Sequence, residues 1–431
     1  MLLLRFWNPT LIVLMMLPLL AGCFGRGDSA AIDDTPVTLR YITFQGADLA
    51  EEALIERFTS EHPNVTFEVE TYSQFPENYL KSESPPDLMF ITPGNLLASA
   101  IEQGLLTDIT DVWQESALAE SYPPSLYRLS ETDGKQYFLP TGYGWYGFFY
   151  NKEIFDQFGL EPPATWDELM VVADTLMVNG VTPFVLPGDD PWLTLLWFDY
   201  LNLRLNGAEF HQALASGQAQ YYDARVQDVL GMWVRLLEGD YVMEDMATTD
   251  GFDAWMALIQ GDEGKLSTEK AAMTLVGSNV IADVPELFRN ELGFFPFPEI
   301  NPNVPTSEIV LPIGYMLPAN AENRLAAMSY LAFLGSESAA DVLVTQANLG
   351  GTTVPVNIGD TNDLADHLVD VAQTITKADS LHPAYFFNVP LSMQQELGRI
   401  VARVVRDIDR ENSVNLDELM QEMDSARLKQ Q

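Results

Sequence analysis

Residues 142–151, "GYGWYGFFYN", place six aromatic side chains and three glycines in ten positions. A buried strand takes the rings but is weakened by the glycines. A loop takes the glycines but has no use for six rings. A chain that bends sharply while lining a cavity uses both. At 431 residues the chain exceeds one ordinary core, so two lobes or domains are expected around that cavity.

The first residues set the compartment. "MLLLRFWNPTLIVLMMLPLLAGCF" carries one early cation, Arg5, and then an apolar run over residues 11–20. That run is short for a membrane-spanning helix and has the length of a signal-peptide core. It ends in Leu20-Ala21-Gly22-Cys23, which resembles a bacterial lipobox. Residues 1–22 are therefore expected to be a lipoprotein signal peptide, with the lipid placed on Cys23. Cys23 is the single cysteine, so once it is lipidated no thiol remains for disulfide, metal or nucleophilic chemistry. Residues 23–36 are small, polar and acidic and read as a flexible tether, in which the "RGD" triplet is a chance match.

Acidic residues outnumber basic ones 62 to 22, a formal charge of −40. Nucleic-acid binders must neutralise phosphates with Lys and Arg, so that function class is disfavoured. Docking of the folded body on an anionic membrane is disfavoured for the same reason. The charge fits a hydrated surface that keeps an exported protein soluble. An acidic pocket for cationic ligands and adaptation to high salt remain open as readings.

Along residues 37–104 the pattern is strand, helix, strand, strand, helix, the order of an α/β protein. Leu54 and Phe58 mark the first helix face, residues 88–91 a buried strand, and Gly104 a helix stop. Thr165 and Glu168 have capping-box spacing, with Leu169, Val172, Ala173 and Leu176 as the buried stripe. Residues 271–277 read as a further buried strand, and residues 309–317 as a strand with a kink. Leu325, Met328, Leu331 and Ala332 are expected to face the core from one helix, and Leu397, Ile400, Val401, Val404 and Ile408 from a longer one. His62 and His382 each precede a proline and read as turn residues.

These residues carry a family likeness. "PDLM" followed by "LLASAIEQGLLTDIT", then "FLPTGYGWYGFFYNKEIFDQFGLEPPATWDEL", "KAAMTLVGSN" and "IGYMLPANAENRLAAMSYLAFLGS" occur in the order found in one family. The chain resembles an extracellular solute-binding protein of a sugar-type ABC importer, of the kind that includes maltose-binding protein. The resemblance implies an α/β, two-lobed periplasmic-binding-protein-like fold of type II. Each lobe is then a mixed sheet flanked by helices, with the ligand cleft between them. The first lobe spans residues 37–145 with 313–352, and the second residues 146–312 with 353–431. The opening stretch then becomes the first crossing between lobes, its glycines accommodating a hinge.

The resemblance also places candidate ligand contacts. Tyr143, Trp145 and Tyr146 come from the crossing, whereas Phe148 and Tyr150 pack inside. Gln45 and Asp48 follow the first strand, and Thr92, Pro93 and Asn95 the Pro-Asp strand. Asp189, Asp190 and Trp192 lie in the loop after "PFVLPG". Tyr315 belongs to the next crossing, and Phe386 and Phe387 precede the long helix. The family commonly carries Trp two residues after the glycine of its "AAM…G" block. Here Asn279 stands there, which removes one stacking platform and puts an amide among the candidates.

The implied partners are a small-molecule solute, most naturally a carbohydrate, the transmembrane subunits of an ABC permease, and the membrane through the lipid on Cys23. The protein is then a monomer on the extracytoplasmic side of the cell membrane, with no catalytic residues, metal or cofactor. A cationic solute such as a polyamine is the alternative ligand. A lipid-anchored glycoside hydrolase and a binding protein reporting to a membrane sensor are the alternative roles. The four histidines are scattered without metal-ligand spacing, and adjacent Asp189 and Asp190 do not form a carboxylate pair flanking a sugar.

Overall fold

Seven strands follow one another across the backbone of the fold, in the spatial order Val65–Thr71, Val37–Thr43, Leu88–Ile91, Ser307–Met316, Leu139–Asn151, Ala271–Gly277 and Thr182–Phe184. The computed structural model behind this description covers residues 35–44, 49–115, 118–122, 124–259, 271–278, 284, 288, 291–348, 353–356, 363–364, 366–410 and 413–428. Cys23, Gln45, Asp48 and Asn279, the signal segment and nearly all of the tether lie outside the described residues. In chain order the strands of this sheet are β1 (Val37–Thr43), β2 (Val65–Thr71), β3 (Leu88–Ile91), β4 (Leu139–Asn151), β5 (Thr182–Phe184), β6 (Ala271–Gly277), β7 (Leu292–Phe295), β8 (Ser307–Met316), β9 (Val354–Pro355) and β10 (Ser380–Pro383). The first three are parallel; β8 runs antiparallel to β3 and to β4, and β4 antiparallel to β6 and β7. The fold is thus mixed α/β around a large mixed sheet.

β4 contains the glycine-and-ring stretch, and its partners change in the middle. Leu139 to Trp145 pair with β8, and Tyr146 to Asn151 with β6 and β7. β8 does the same in reverse: Ser307 to Val310 pair with β10, and Gly314 to Met316 with β3. The kink expected in this strand is a register shift between Ile313 and Gly314. A side chain at Gly314 would run into the backbone of Leu139 and Pro140, which explains the glycine there.

The helices used below are α1 (Leu49–Glu61), α2 (Asn95–Glu102), α3 (Pro124–Ser130), α4 (Trp166–Val178), α5 (Pro191–Ala215), α6 (Arg324–Leu334), α7 (Tyr385–Asn388), α8 (Leu391–Asp409) and α9 (Leu416–Leu428). α4 carries the capping box with both reciprocal bonds, and its buried residues are Leu169, Val172, Ala173 and Leu176. α8 buries the expected stripe from Leu397 to Ile408. α1 lays Phe58 against Tyr330 and Phe333 of α6 and Phe67 of β2. The α6 stripe differs from the expectation: Leu325 is exposed, and Ala326, Ala327, Tyr330, Leu331 and Leu334 face inward. His382 also departs from its reading, because it is a buried member of strand β10 and not a turn residue.

The most diagnostic sequence blocks do structural work. Asp87 of the Pro-Asp pair accepts from the Arg40 N–H at 2.9 Å and from the Asn323 N–H at 2.7 Å, tying β1 to the entry of α6. Asn151 caps the helix that follows β4 by accepting from the Ile154 N–H at 2.8 Å. Gly159 ends that helix with φ +62°, the left-handed conformation a helix stop uses.

Candidate functional site

The parallel strands β1 and β3 end at one face, where Phe44 and Thr92 follow them. In open α/β sheets ligands sit outside such strand ends. A cavity of about 410 Å³ opens there. One wall is built from Ile91, Thr92, Pro93, Gly94 and Asn95, with Phe44 and Phe75 beside them. The opposing wall holds Tyr146 of β4, Trp192 of α5, Leu311 of β8, Phe387 of α7, and Leu391 and Gln394 of α8. Phe44 and Phe75 remain 48 % and 57 % exposed, so they form the mouth and not the floor.

The opposing wall is fixed by specific bonds. The Tyr200 hydroxyl donates to the Tyr146 carbonyl at 2.8 Å and lies 3.3 Å from Glu308 Oε2. The Arg204 guanidinium, on the same buried face of α5, holds Glu308 at 2.5 Å and donates to the Phe297 carbonyl. Burial pushes the Glu308 carboxyl up, and Arg204 beside it pulls it back. Tyr146 is buried, its ring edge meets Trp192 at 6.4 Å, and its hydroxyl has no hydrogen-bond partner among the described residues. Burial, with Asp199 nearby, raises the Tyr146 hydroxyl far above the ordinary tyrosine range, so it stays protonated and able to donate. Asp199 anchors the α7 side of the same wall: its Oδ2 accepts from the Tyr385 N–H at 2.7 Å, setting the start of α7 and so the place of Phe387.

Among the expected contacts, Thr92, Pro93, Asn95, Tyr146, Trp192 and Phe387 line this one cavity. Tyr143 and Trp145 are buried on the other face of β4, where Trp145 meets the edge of Phe294 and its indole N–H has no partner among the described residues. Tyr315 is stacked on Tyr41 at 5.6 Å and meets Phe90 and Tyr330, in the packing beneath β1. Phe386 touches Phe387 edge-on from outside the cavity. Asp190 is already engaged, accepting from the Gly251 N–H at 2.8 Å, while Asp189 is exposed. Phe148 packs inside as expected, against Trp197, Phe295 and Phe297. Sequence reasoning missed the rest of the lining: Phe44, Phe75, Pro76, Glu77, Ile91, Gly94, Leu96, Leu311, Leu391 and Gln394. The one local signal was at Phe44, which follows a strand and sits one residue before Gln45.

Residues 44–341 match the bacterial extracellular solute-binding protein family. The chain belongs to that family. This solute-binding protein is 26 % identical over 345 residues to an uncharacterized ABC transporter extracellular-binding protein of Pyrococcus horikoshii, covering 74 % of this chain and 73 % of that one. It is 24 % identical over 304 residues to the multiple sugar-binding protein of Streptococcus mutans, covering 65 % and 66 % of the two chains. Among solved structures, the bacterial solute receptor AcbH, described with an exclusive preference for β-D-galactopyranose, superposes with a TM-score of 0.79 at 24 % identity. That match covers 91 % of this chain and 98 % of AcbH, and shows a shared fold. The protein is accordingly the solute-binding component of an ABC transporter and acts outside the cytoplasm. Its family is one of receptors, not enzymes.

Proposed function

We propose that this receptor binds a carbohydrate in the cavity between its two walls and hands it to the permease as a monomer held to the membrane by lipid on Cys23. The observation that carries the reading is the composition of the walls. Trp192, Tyr146 and Phe387 meet Phe44 and Phe75 around a space of about 410 Å³ edged by Thr92, Asn95 and Gln394. Sugars present apolar C–H faces and outward hydroxyls, so they need ring platforms with amide and hydroxyl groups around them. The names of the Streptococcus relative and of AcbH, which refer to sugars, support the same ligand class. The partner changes in β4 and β8 support a two-lobed arrangement, residues 37–145 with 313–352 and residues 146–312 with 353–431. The cavity then closes as the lobes approach. The Leu-Ala-Gly-Cys segment supports the anchor.

A thermal-shift panel tests the ligand class, since a solute bound only by the native state raises apparent stability by RT ln(1 + [L]/Kd). Mono- and oligosaccharides should raise Tm and be recovered unchanged. Stabilisation by polyamines and by no saccharide would overturn the carbohydrate reading in favour of a cation held over the rings. A cleaved saccharide would instead identify a hydrolase.

A further inference from the structure

A second chamber of about 680 Å³ adjoins the aromatic cavity, sharing Pro93, Gly94 and Asn95 with it. Its near wall is α2 and α3, and its far wall the C-terminal part of α5, strand β10 and Asn388. Its chemistry is unlike that of its neighbour, for it has no large ring other than histidine, and charged and polar side chains stand among its apolar ones.

On the far wall the hydrogen bonds fix both imidazoles. Asn202 Oδ1 accepts from Asn206 Nδ2 at 2.8 Å, so Asn202 presents its Nδ2 to His211 Nδ1, 3.0 Å away. His211 Nδ1 is then the acceptor and Nε2 carries the proton. His211 is 1 % exposed, and burial holds its pKa down at about 3, so the ring is neutral. No described residue accepts from Nε2, so a residue that lines the chamber keeps an N–H donor without a protein partner. His382 has no such spare group: Gln212 Nε2 donates to its Nδ1 at 3.2 Å, and its Nε2 donates to Ser380 Oγ at 2.9 Å. Burial keeps it neutral too, at about 4.

On the near wall, Arg128 of α3 is exposed and has neither an ion pair nor a hydrogen bond among the described residues. It stays unpaired in a chain with 62 acidic and 22 basic residues. α2 opens at Gly94 with no side-chain cap, so the first N–H groups of that helix also lack intrahelical acceptors. Glu102, the carboxylate on this wall, lies seven residues along α2 from Asn95, roughly 10 Å away at 1.5 Å per residue. Three unused donors from three elements therefore face one chamber: an imidazole N–H, a guanidinium and a helix N-terminus. A neutral hydroxyl needs a donor and an acceptor, whereas an anion takes donors alone.

We propose that this chamber receives the carboxylate of an acidic sugar unit, which continues from a sugar ring held in the aromatic cavity. The inference rests on the carbohydrate reading of that cavity. Arg128 sets the preference for the acid, with His211 Nε2 and the amides at the start of α2 completing the cradle.

Calorimetry with matched pairs tests it: cellobiose against cellobiouronic acid, and galactobiose against digalacturonic acid, each titrated into the wild type and into Arg128→Gln. The expected result is at least tenfold tighter binding of the acidic member of a pair. Arg128→Gln should erase that preference by weakening the acidic member. Arg128 is exposed, so the variant should keep the wild-type Tm, and Arg128→Lys should restore part of the preference. Neutral members bound as tightly as acidic ones, or a preference that survives Arg128→Gln, would overturn the chamber proposal and leave the aromatic cavity standing. Binding of no saccharide of either kind would overturn both.

Discussion

Gly94→Ala should weaken solute binding by at least tenfold and leave the solute-loaded protein more open than the wild type. Gly94 has φ +152°, a conformation that L side chains avoid. A Cβ there would drive into the Phe387 carbonyl oxygen, with the carbonyl carbon 3.1 Å and the Phe387 Cβ 3.3 Å away. These neighbours are backbone and a near-backbone atom, so no side-chain rotation relieves the clash. Gly94 and Phe387 belong to opposing walls of the cavity, and in the two-lobed reading this is where the lobes touch. A tenfold loss is about 1.4 kcal/mol, within the roughly 1–3 kcal/mol of a strained residue before any clash is counted. Gly104→Ala is the control: Gly104 also has a positive φ, +67°, but a Cβ there meets nothing within 4 Å. It should lower Tm slightly and leave affinity intact. Small-angle scattering should give a larger radius of gyration for loaded Gly94→Ala than for loaded wild type. Wild-type affinity and radius in Gly94→Ala would refute the contact as a closing surface.

Arg204→Met should destabilise the fold by about 3–5 kcal/mol, the cost of removing one partner of a buried pair. Arg204 and Glu308 are 5 % and 2 % exposed. The guanidinium also donates to the carbonyls of Phe297 and Ser307, so its removal strands two acceptors as well as a carboxylate. Replacing both residues, Arg204→Met with Glu308→Leu, should recover much of the loss, because no charge is then left buried. The loss should also depend on pH. Burial raises the folded-state pKa of Glu308, and Arg204 opposes that rise, so without Arg204 it rises further. A carboxyl with a raised folded pKa is best tolerated below its unfolded value, about 4.3, and its stabilisation is lost as pH rises through the folded value. The gap between wild type and Arg204→Met should therefore be widest near neutrality and shrink towards pH 4. Urea denaturation at several pH values measures it. A loss under 1 kcal/mol, or a gap that widens in acid, would contradict the role given to this pair.

What the sequence disclosed follows from where the information sits. The Thr165–Glu168 box, the α4 stripe and the helix stop at Gly104 are written within a few residues and were legible. Family motifs were legible because they encode local geometry: Asn151 is a cap, Gly159 a left-handed stop, and Asp87 a bridge to Arg40 and Asn323. The α6 face was displaced by one residue because leucines were weighted over alanines, and Ala326 and Ala327 pack inward where Leu325 does not. His382 was misread because a following proline suggests a turn, yet β10 pairs with β8 through Pro383. The cavity itself was only half legible. Its walls also take in Phe75, Leu311 and Gln394, which are far apart in the chain and carry no local signal of convergence. Arg204 and Asp199 were missed because a charge in a long helix reads as solvated until all sides of that helix prove to be covered.

The central claim is that the aromatic cavity holds the solute, and Trp192 tests it most directly. Trp192 is half-buried, meets Tyr146 edge-on and leaves ring surface on the cavity, so its loss removes a platform without emptying the core. The decisive measurement is calorimetry on wild type and Trp192→Ala, using the saccharide that gives the largest thermal shift. The wild type should bind it, and Trp192→Ala should lose about 1–3 kcal/mol, roughly 5- to 150-fold in affinity, at near-unchanged Tm without ligand. Equal affinity in the two proteins would place the solute elsewhere and contradict the account.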